Sequence, residues 1–354
     1  MKAGEKLIEP LAYRSPYPRI IRRGMTGRDG FAYFPHDDLI AAVNAALEVE
    51  YPLLLTGEAG CGKTDFAYAV ANSMAGSDNG KDDHRLLACY VRSDSRARDL
   101  LYHFDTIHRF GDAHHGGDEG KKRAEEPRNY IQLRPLGKAL ISPVRRVVLI
   151  DEIDKAPRDL PNDLLRELDE GGFEIPEIAD ELAAGPPAKT EPGVPIDPED
   201  PSTFRHQMRR PDGAPKPLVI ITSNVERQLP DPFLRRCVFF HIPFPSTEEL
   251  MQILRSRFDA GEPFLNRVID IFETLRRVDT LTKKPATSEL LVWTQVLRSL
   301  HEPAEVLRRL DGFAGGRHEE ARSRDWADLP WRNLPALSCL IKLREDQARL
   351  YGSL

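Results

Sequence analysis

Between the apolar run Leu53-Leu54-Leu55-Thr56 and a helix-forming stretch of small residues lies Gly57-Glu58-Ala59-Gly60-Cys61-Gly62-Lys63-Thr64. No other feature so restricts what this chain can fold into. The pattern G-x-x-x-x-G-K-[ST], with a strand before it and a helix after it, requires a backbone that leaves the strand, curls tightly and enters the helix at once. Glycines permit the curl, and the curl turns successive N–H groups toward one point. The following helix aims its positive end at the same point. The loop is thus a cradle for phosphate, in which Lys63 offers an ammonium to the outer phosphates and Thr64 a hydroxyl to Mg²⁺. At Cys61 the backbone matters more than the thiol.

Three further stretches bear on the same chemistry. Val147-Val148-Leu149-Ile150 reads as a central strand with Asp151 and Glu152 emerging at its carboxyl end, the edge where open α/β sheets bind ligands. Asp151 is placed to hold the Mg²⁺ shell, and Glu152 to orient and deprotonate a water. Asp154 and Lys155 read as a helix-start acid and a surface charge. Leu218 to Asn224 is another apolar strand, with the Asn224 amide at its tip beside the metal and water, although Ser-Asn is also ordinary turn chemistry. Leu229-Pro230-Asp231-Pro232-Phe233-Leu234-Arg235-Arg236-Cys237 sets two arginines before a buried strand. They fit a charge donated to a neighbour's phosphate, and equally a solvated pair.

The order of elements gives an α/β fold: a parallel sheet covered by helices on both faces, followed by a small all-helical lid domain. Apolar strands are expected at 53–55, 86–91, 147–150, 218–222 and 238–244, with helices at 37–50, 64–75, 96–110 and 158–170. After Pro245 only helices are expected, at 247–259, 263–279, 287–301 and 335–351. The domains are then an N-terminal arm over 1–24, the α/β domain over 25–245 and the lid over 246–354. Within the second, 111–129 is Gly-rich and charged and reads as a solvated loop. FEIPEI at 173–178 suits a hairpin arm. The Pro-rich stretch 181–217 reads as an insertion that contributes little to a sheet.

Together these stretches resemble the AAA+ superfamily, and its MoxR-type branch in particular, from about Asp37 to Pro245. GEAGCGKT is similar to the Walker A motif and VVLIDEID to Walker B. ITSN puts Asn224 at the sensor 1 position, and LPDPFLRRC puts Arg236 at the arginine-finger position with Arg235 beside it. KAPRDLPNDLLRELDEGGFEIPE is similar to the branch's helix and hairpin. The resemblance implies ATP with Mg²⁺, hydrolysis to ADP and phosphate, and a homo-oligomeric ring, usually a hexamer. It also implies chaperone-like remodelling of a protein partner, often one with a von Willebrand factor A domain. The stretch equivalent to the lid's usual sensor 2 arginine is Lys284 to Leu291, which contains none. Lys283 or Lys284 is the alternative, as a point charge without the planar fork.

Two other readings stay open on sequence alone. A motor acting on nucleic acid needs a basic element, for which Arg205, Arg209 and Arg210 are the candidates. The net charge of −6 gives it no global support. A nucleotide-regulated scaffold with little hydrolysis is the other. The four cysteines form no C-x-x-C pair, so neither a disulfide framework nor a zinc site is expected. His114 and His115 lack a second ligand pair. No run approaches a membrane span and the N-terminus lacks a signal-like core, so a cytoplasmic protein without a membrane partner is expected.

Overall fold

The five expected strands form one sheet. β1 (Leu53–Thr56), β2 (Leu87–Tyr90), β5 (Val147–Asp151), β8 (Leu218–Ser223) and β9 (Val238–His241) lie in the order β2-β5-β8-β1-β9, every pair parallel. This computed structural model describes residues 20, 24–75, 86–178, 196–224, 227–300, 303–314 and 331–351. The arm 1–24 thus falls largely outside the described residues.

Successive strand residues sort to opposite faces, as a pleated strand requires. Leu54, Val148, Ile150, Val219 and Ile221 enter one core with α3 (Ala97–Leu101), α6 (Pro135–Leu140) and α7 (Leu160–Glu170). Leu53, Leu55, Val147, Leu149, Leu218 and Ile220 enter the other with α1 (Asp37–Val49) and α2 (Lys63–Ala75). Both faces are covered, which is why these strands read as unbroken apolar runs. Each fully buried aliphatic side chain is worth about 1.5–3 kcal/mol over an exposed one. A charge within any of these runs would therefore be severe, and the polar residues appear only where the strands end.

Two insertions decorate this frame. β3 (Tyr102–Phe104) pairs antiparallel with β4 (Ile131–Leu133), and between them lie α4 (Thr106–His115) and α5 (Gly117–Ala124). The expectation of a loop at 111–129 is therefore corrected, and the helix expected over 96–110 is interrupted by β3. What holds this stretch is a buried acid rather than an apolar stripe. Asp112 accepts from the Tyr130 hydroxyl at 2.6 Å and from Arg123 Nε at 3.0 Å. Gly116 and Gly120 let α4 and α5 approach; a Cβ on Gly116 would stand 2.7 Å from the Cα of Gly120. In the second insertion β6 (Gly172–Glu174) pairs antiparallel with β7 (Gln207–Arg209). The hairpin arm expected at 173–178 is present. Contrary to expectation, the Pro-rich stretch supplies its partner strand, anchored by buried Phe204 and Met208; residues 181–195 lie outside the described residues.

After the one-turn α8 (Asp231–Leu234) and β9 no further strand occurs among the described residues. α9 (Thr247–Arg257), α10 (Glu262–Arg276), α11 (Thr287–Leu300), α12 (Pro303–Ala314) and α13 (Arg344–Leu350) form the lid around a separate core that includes Leu254, Phe272 and Trp293. The single helix expected at 335–351 is instead a short 3-10 turn at Leu337–Cys339 followed by α13. α9 starts on a capping box, in which Ser246 Oγ accepts from Glu249 N at 3.3 Å and Glu249 Oε2 accepts from Ser246 N at 2.8 Å.

Candidate active site

The registers bring the strand ends to one edge. Thr56 lies level with Ser223 and with His241, and Asp151 with Tyr90. The loop leaving β1 curls over this edge. Gly57 adopts φ +147, and a Cβ there would stand 2.7 Å from the Ile242 carbonyl oxygen. Lys63 is buried and donates from Nζ to the carbonyls of Gly57 and Glu58, both at 2.9 Å. Its ammonium is therefore held inside the loop, at the N-terminus of α2. Cys61 Sγ lies 3.9 Å from Nζ. Burial pushes the Cys61 thiol above its ordinary pKa, against the opposing pull of Lys63, which keeps it protonated at neutral pH.

The acids at the end of β5 are fixed from β8. The Thr222 hydroxyl donates to Asp151 Oδ1 at 2.6 Å and accepts from the Glu152 N–H at 2.9 Å. Thr64 Oγ1 donates to Asp151 Oδ1 at 3.1 Å, which joins the loop to β5. Glu152 has a left-handed backbone, φ 60 and ψ 51. Such a conformation in a residue other than glycine costs on the order of 1–3 kcal/mol and persists where the surroundings over-determine it. Glu152 Oε1 accepts from Asn224 Nδ2 at 3.4 Å, and Oε2 pairs with Lys155 Nζ at 2.6 Å. Asp154 stands in the first turn of a 3-10 helix over Ile153–Lys155, as expected of a helix-start acid, and is also buried and accepts from the Asn224 N–H at 3.1 Å. It thereby holds the backbone just past β8.

These groups open onto a cleft of about 400 Å³. Ala59, Gly60, Cys61, Gly62, Lys63 and Thr64 line it, as do Asp151, Glu152 and Asn224. Gly57 and Glu58 of the loop do not line it. The rest of the lining comes from Tyr33, Phe34, Pro35 and His36, which precede α1 and carried no motif, and from Thr287, Ser288 and Leu291 of α11, which lie in the stretch 284–291 equivalent to sensor 2. Arg28 and Arg257 add positive charge. Arg257 lies over the ring of Phe31 at 4.8 Å and pairs with Asp29 at 3.8 Å. Arg236 does not reach the cleft. It is exposed and pairs with Asp169 on α7 at 3.3 Å. Neither Lys283 nor Lys284 lines the cleft, and Lys284 pairs with Asp279 at 4.0 Å.

The donors at the edge, a threonine hydroxyl and a carboxylate 3.1 Å apart, are the hard oxygens that suit Mg²⁺ completed by phosphate and water. Among the described residues no group of three or more His, Cys, Asp or Glu could hold a metal by itself. All four cysteines are free. Arg205 and Arg210 are half buried beside the β6–β7 hairpin, so with exposed Arg209 they do not form one open basic patch. Among the described residues no helix is long and apolar enough to cross a membrane.

A phosphate-cradling loop on a five-stranded parallel sheet, with acids at the next strand ends, defines a P-loop nucleotide-binding domain. Residues 52–258 match the model of the AAA domain, dynein-related subfamily, and the chain belongs to this family of AAA+ ATPases. No curated protein matches the chain. Solved structures similar to it include a chain of the E. coli MS115-1 HORMA:CdnC:Trip13 complex, at 12% identity and a TM-score of 0.37 over 77% of this chain and 78% of that one. The FIGL-1 AAA domain in complex with ADP is 16% identical with a TM-score of 0.31, over 86% and 76%. The Thermotoga maritima RuvB Holliday junction branch migration motor is 12% identical with a TM-score of 0.38, over 79% and 70%.

Proposed function

We propose that this chain hydrolyses ATP to ADP and phosphate, and that it uses the reaction as a MoxR-type AAA+ remodeller of a protein partner. The observation that supports the reading most is the convergence on one cleft of Lys63, Thr64, Asp151, Glu152 and Asn224, drawn from three neighbouring strands. The loop 57–64 binds the phosphates through its N–H groups. Lys63, its ammonium already held inside the loop, neutralises the outer phosphate charge. Thr64 and Asp151 would hold Mg²⁺, which when bound neutralises charge between the phosphates. Glu152 takes a proton from the attacking water at its carboxylate, and the Asn224 amide, 3.4 Å from that carboxylate, orients the water.

Arg236 fits a role in trans, completing a neighbour's site in a homo-oligomeric ring, usually a hexamer in this branch. The protein partner is of the type that carries a von Willebrand factor A domain, and the setting is the cytoplasm. Phosphate release from ATP with Mg²⁺ tests the reading. The parent is expected to turn over, and both Lys63→Ala and chelation of Mg²⁺ should reduce release to background. Tight nucleotide binding without release in the parent would mean a nucleotide-regulated scaffold instead.

A further inference from the structure

The lid touches the phosphate loop at two points. The first is Arg276, the last residue of α10. Its guanidinium lies 3.4 Å from the centroid of the Phe244 ring and donates to the Pro285 carbonyl. Its Nη2 also donates to both carboxylate oxygens of Glu58, at 3.2 and 3.0 Å, across 218 positions of sequence. The Arg276 side chain is only 13% exposed, whereas that of Glu58 is 51% exposed. The second point is Gly60, at φ +76. A Cβ there would stand 2.4 Å from Ser288 Oγ and 3.1 Å from the Ala286 Cβ. The connection from α10 to α11 is thus pinned to the loop at both ends. At the second pin, between Ala286 and Ser288, buried Thr287 lines the cleft, and its hydroxyl has no hydrogen-bond partner among the described residues.

Three features argue against an incidental surface pair, which would be worth little. The guanidinium is largely removed from water and stacked, so its charge needs a partner. Its planar fork satisfies a carboxylate and a carbonyl together, which an ammonium cannot do with the same geometry. And Glu58 is the residue whose own carbonyl holds the Lys63 ammonium at 2.9 Å, so a shift of the Glu58 side chain is passed to the phosphate-binding lysine.

We propose that Arg276 is a positioning residue for the phosphate loop: by gripping Glu58 it seats the lid on Gly60, so that nucleotide affinity and lid seating are linked. This rests on the reading of the cleft as an ATP site. Linkage is reciprocal. A partner or neighbouring subunit that tilts the lid weakens nucleotide binding by the same factor by which nucleotide resists the tilt. The lid needs no arginine on the phosphates for this coupling, because its arginine acts on the loop that holds them.

A double-mutant cycle on the full chain tests the proposal, read by equilibrium binding and dissociation rate of a fluorescent ATP analogue. Arg276→Met and Glu58→Gln should each weaken affinity roughly tenfold, within the usual range of site-to-site coupling. The double variant should be no weaker than the worse single one, because one contact is lost in all three. Arg276→Lys, which keeps the charge and preserves folding, should fall between parent and Arg276→Met. Melting of the nucleotide-free proteins is recorded alongside, and an affinity loss in a variant that melts with the parent marks positioning rather than folding. Losses that multiply in the double variant, or Arg276→Met and Arg276→Lys both within twofold of the parent, would overturn the proposal while leaving the ATP site intact. A parent that binds no analogue would overturn both.

Discussion

The α/β domain and the lid face the same cleft but present their residues by opposite means. In the α/β domain each polar group sits just past the end of an apolar strand: Lys63 and Thr64 after β1, Asp151 and Glu152 at the end of β5, Asn224 after β8. Neighbouring strands in register do the assembling, and Thr222 links Asp151 and Glu152 from one strand away. The lid reaches the cleft through Thr287, Ser288 and Leu291, within the stretch equivalent to sensor 2, and grips the loop through Arg276, which sits in no motif. Chemistry carried on strand ends is written locally, whereas control carried on packed helices is written only in their packing.

That contrast can be broken by experiment. The largest effect is expected at Arg236, which lies outside its own chain's cleft. Arg236→Ala should bind ATP normally yet lose turnover by roughly 10³ or more, as for arginines supplied to a neighbour's phosphate. Rings mixed from Arg236→Ala and Lys63→Ala chains contain interfaces with one intact loop and one intact arginine. They should recover activity, and parent activity should rise with protein concentration. No recovery in rings shown to exchange subunits would sink the trans role, and loss at Arg235→Ala instead would move the register by one residue.

A smaller effect is expected within the strand edge. Thr222→Val keeps the shape of a wholly buried side chain but removes the hydroxyl shared by Asp151 and Glu152. The partners left unmet are only partly buried, so the cost is at most about 1–3 kcal/mol, and turnover should drop by up to roughly a hundredfold with ATP affinity changed much less. Steady-state kinetics with separate binding measurements decides it. A pure affinity loss would show that the hydroxyl supports the loop rather than the acids.

The smallest effect belongs to the lid. Thr287→Val removes a hydroxyl that has no partner among the described residues. Since an unpartnered buried hydroxyl contributes nothing to a packed interior, the nucleotide-free protein should melt at or above the parent temperature. A weaker affinity for ATP beside that melt would mark Thr287 as a nucleotide contact, and a lower melting temperature would contradict the burial argument.

The same division explains what could be read before the structure. The loop 57–64, the acids of β5, Asn224 and all five strands of the sheet follow from apolar runs and the residues that end them. The α4–α5 insertion escaped because it is built on buried Asp112 and on close glycines, and neither leaves an apolar period. β7 escaped because prolines around it signal breaks, while its pairing with β6 depends on Phe173 and Met208 meeting in the core. Asp154 is a helix-start acid as its position suggests, but no local signal says that it will also face the Asn224 N–H beyond β8. Tyr33, Arg257 and Arg276 share this property: each owes its place to a contact with a distant segment.

Most direct for the central claim, that Glu152 at the end of β5 activates water for a phosphate held by the loop, is the nucleotide recovered from Glu152→Gln. Parent and variant are incubated with ATP and Mg²⁺, separated rapidly from free nucleotide, and the bound nucleotide is identified. The amide keeps the side chain's shape but cannot accept the water's proton, a loss of about 10²–10⁴ in rate. The variant should retain intact ATP and the parent should carry ADP. ADP in both, formed at comparable rates, would contradict the account and place the base elsewhere.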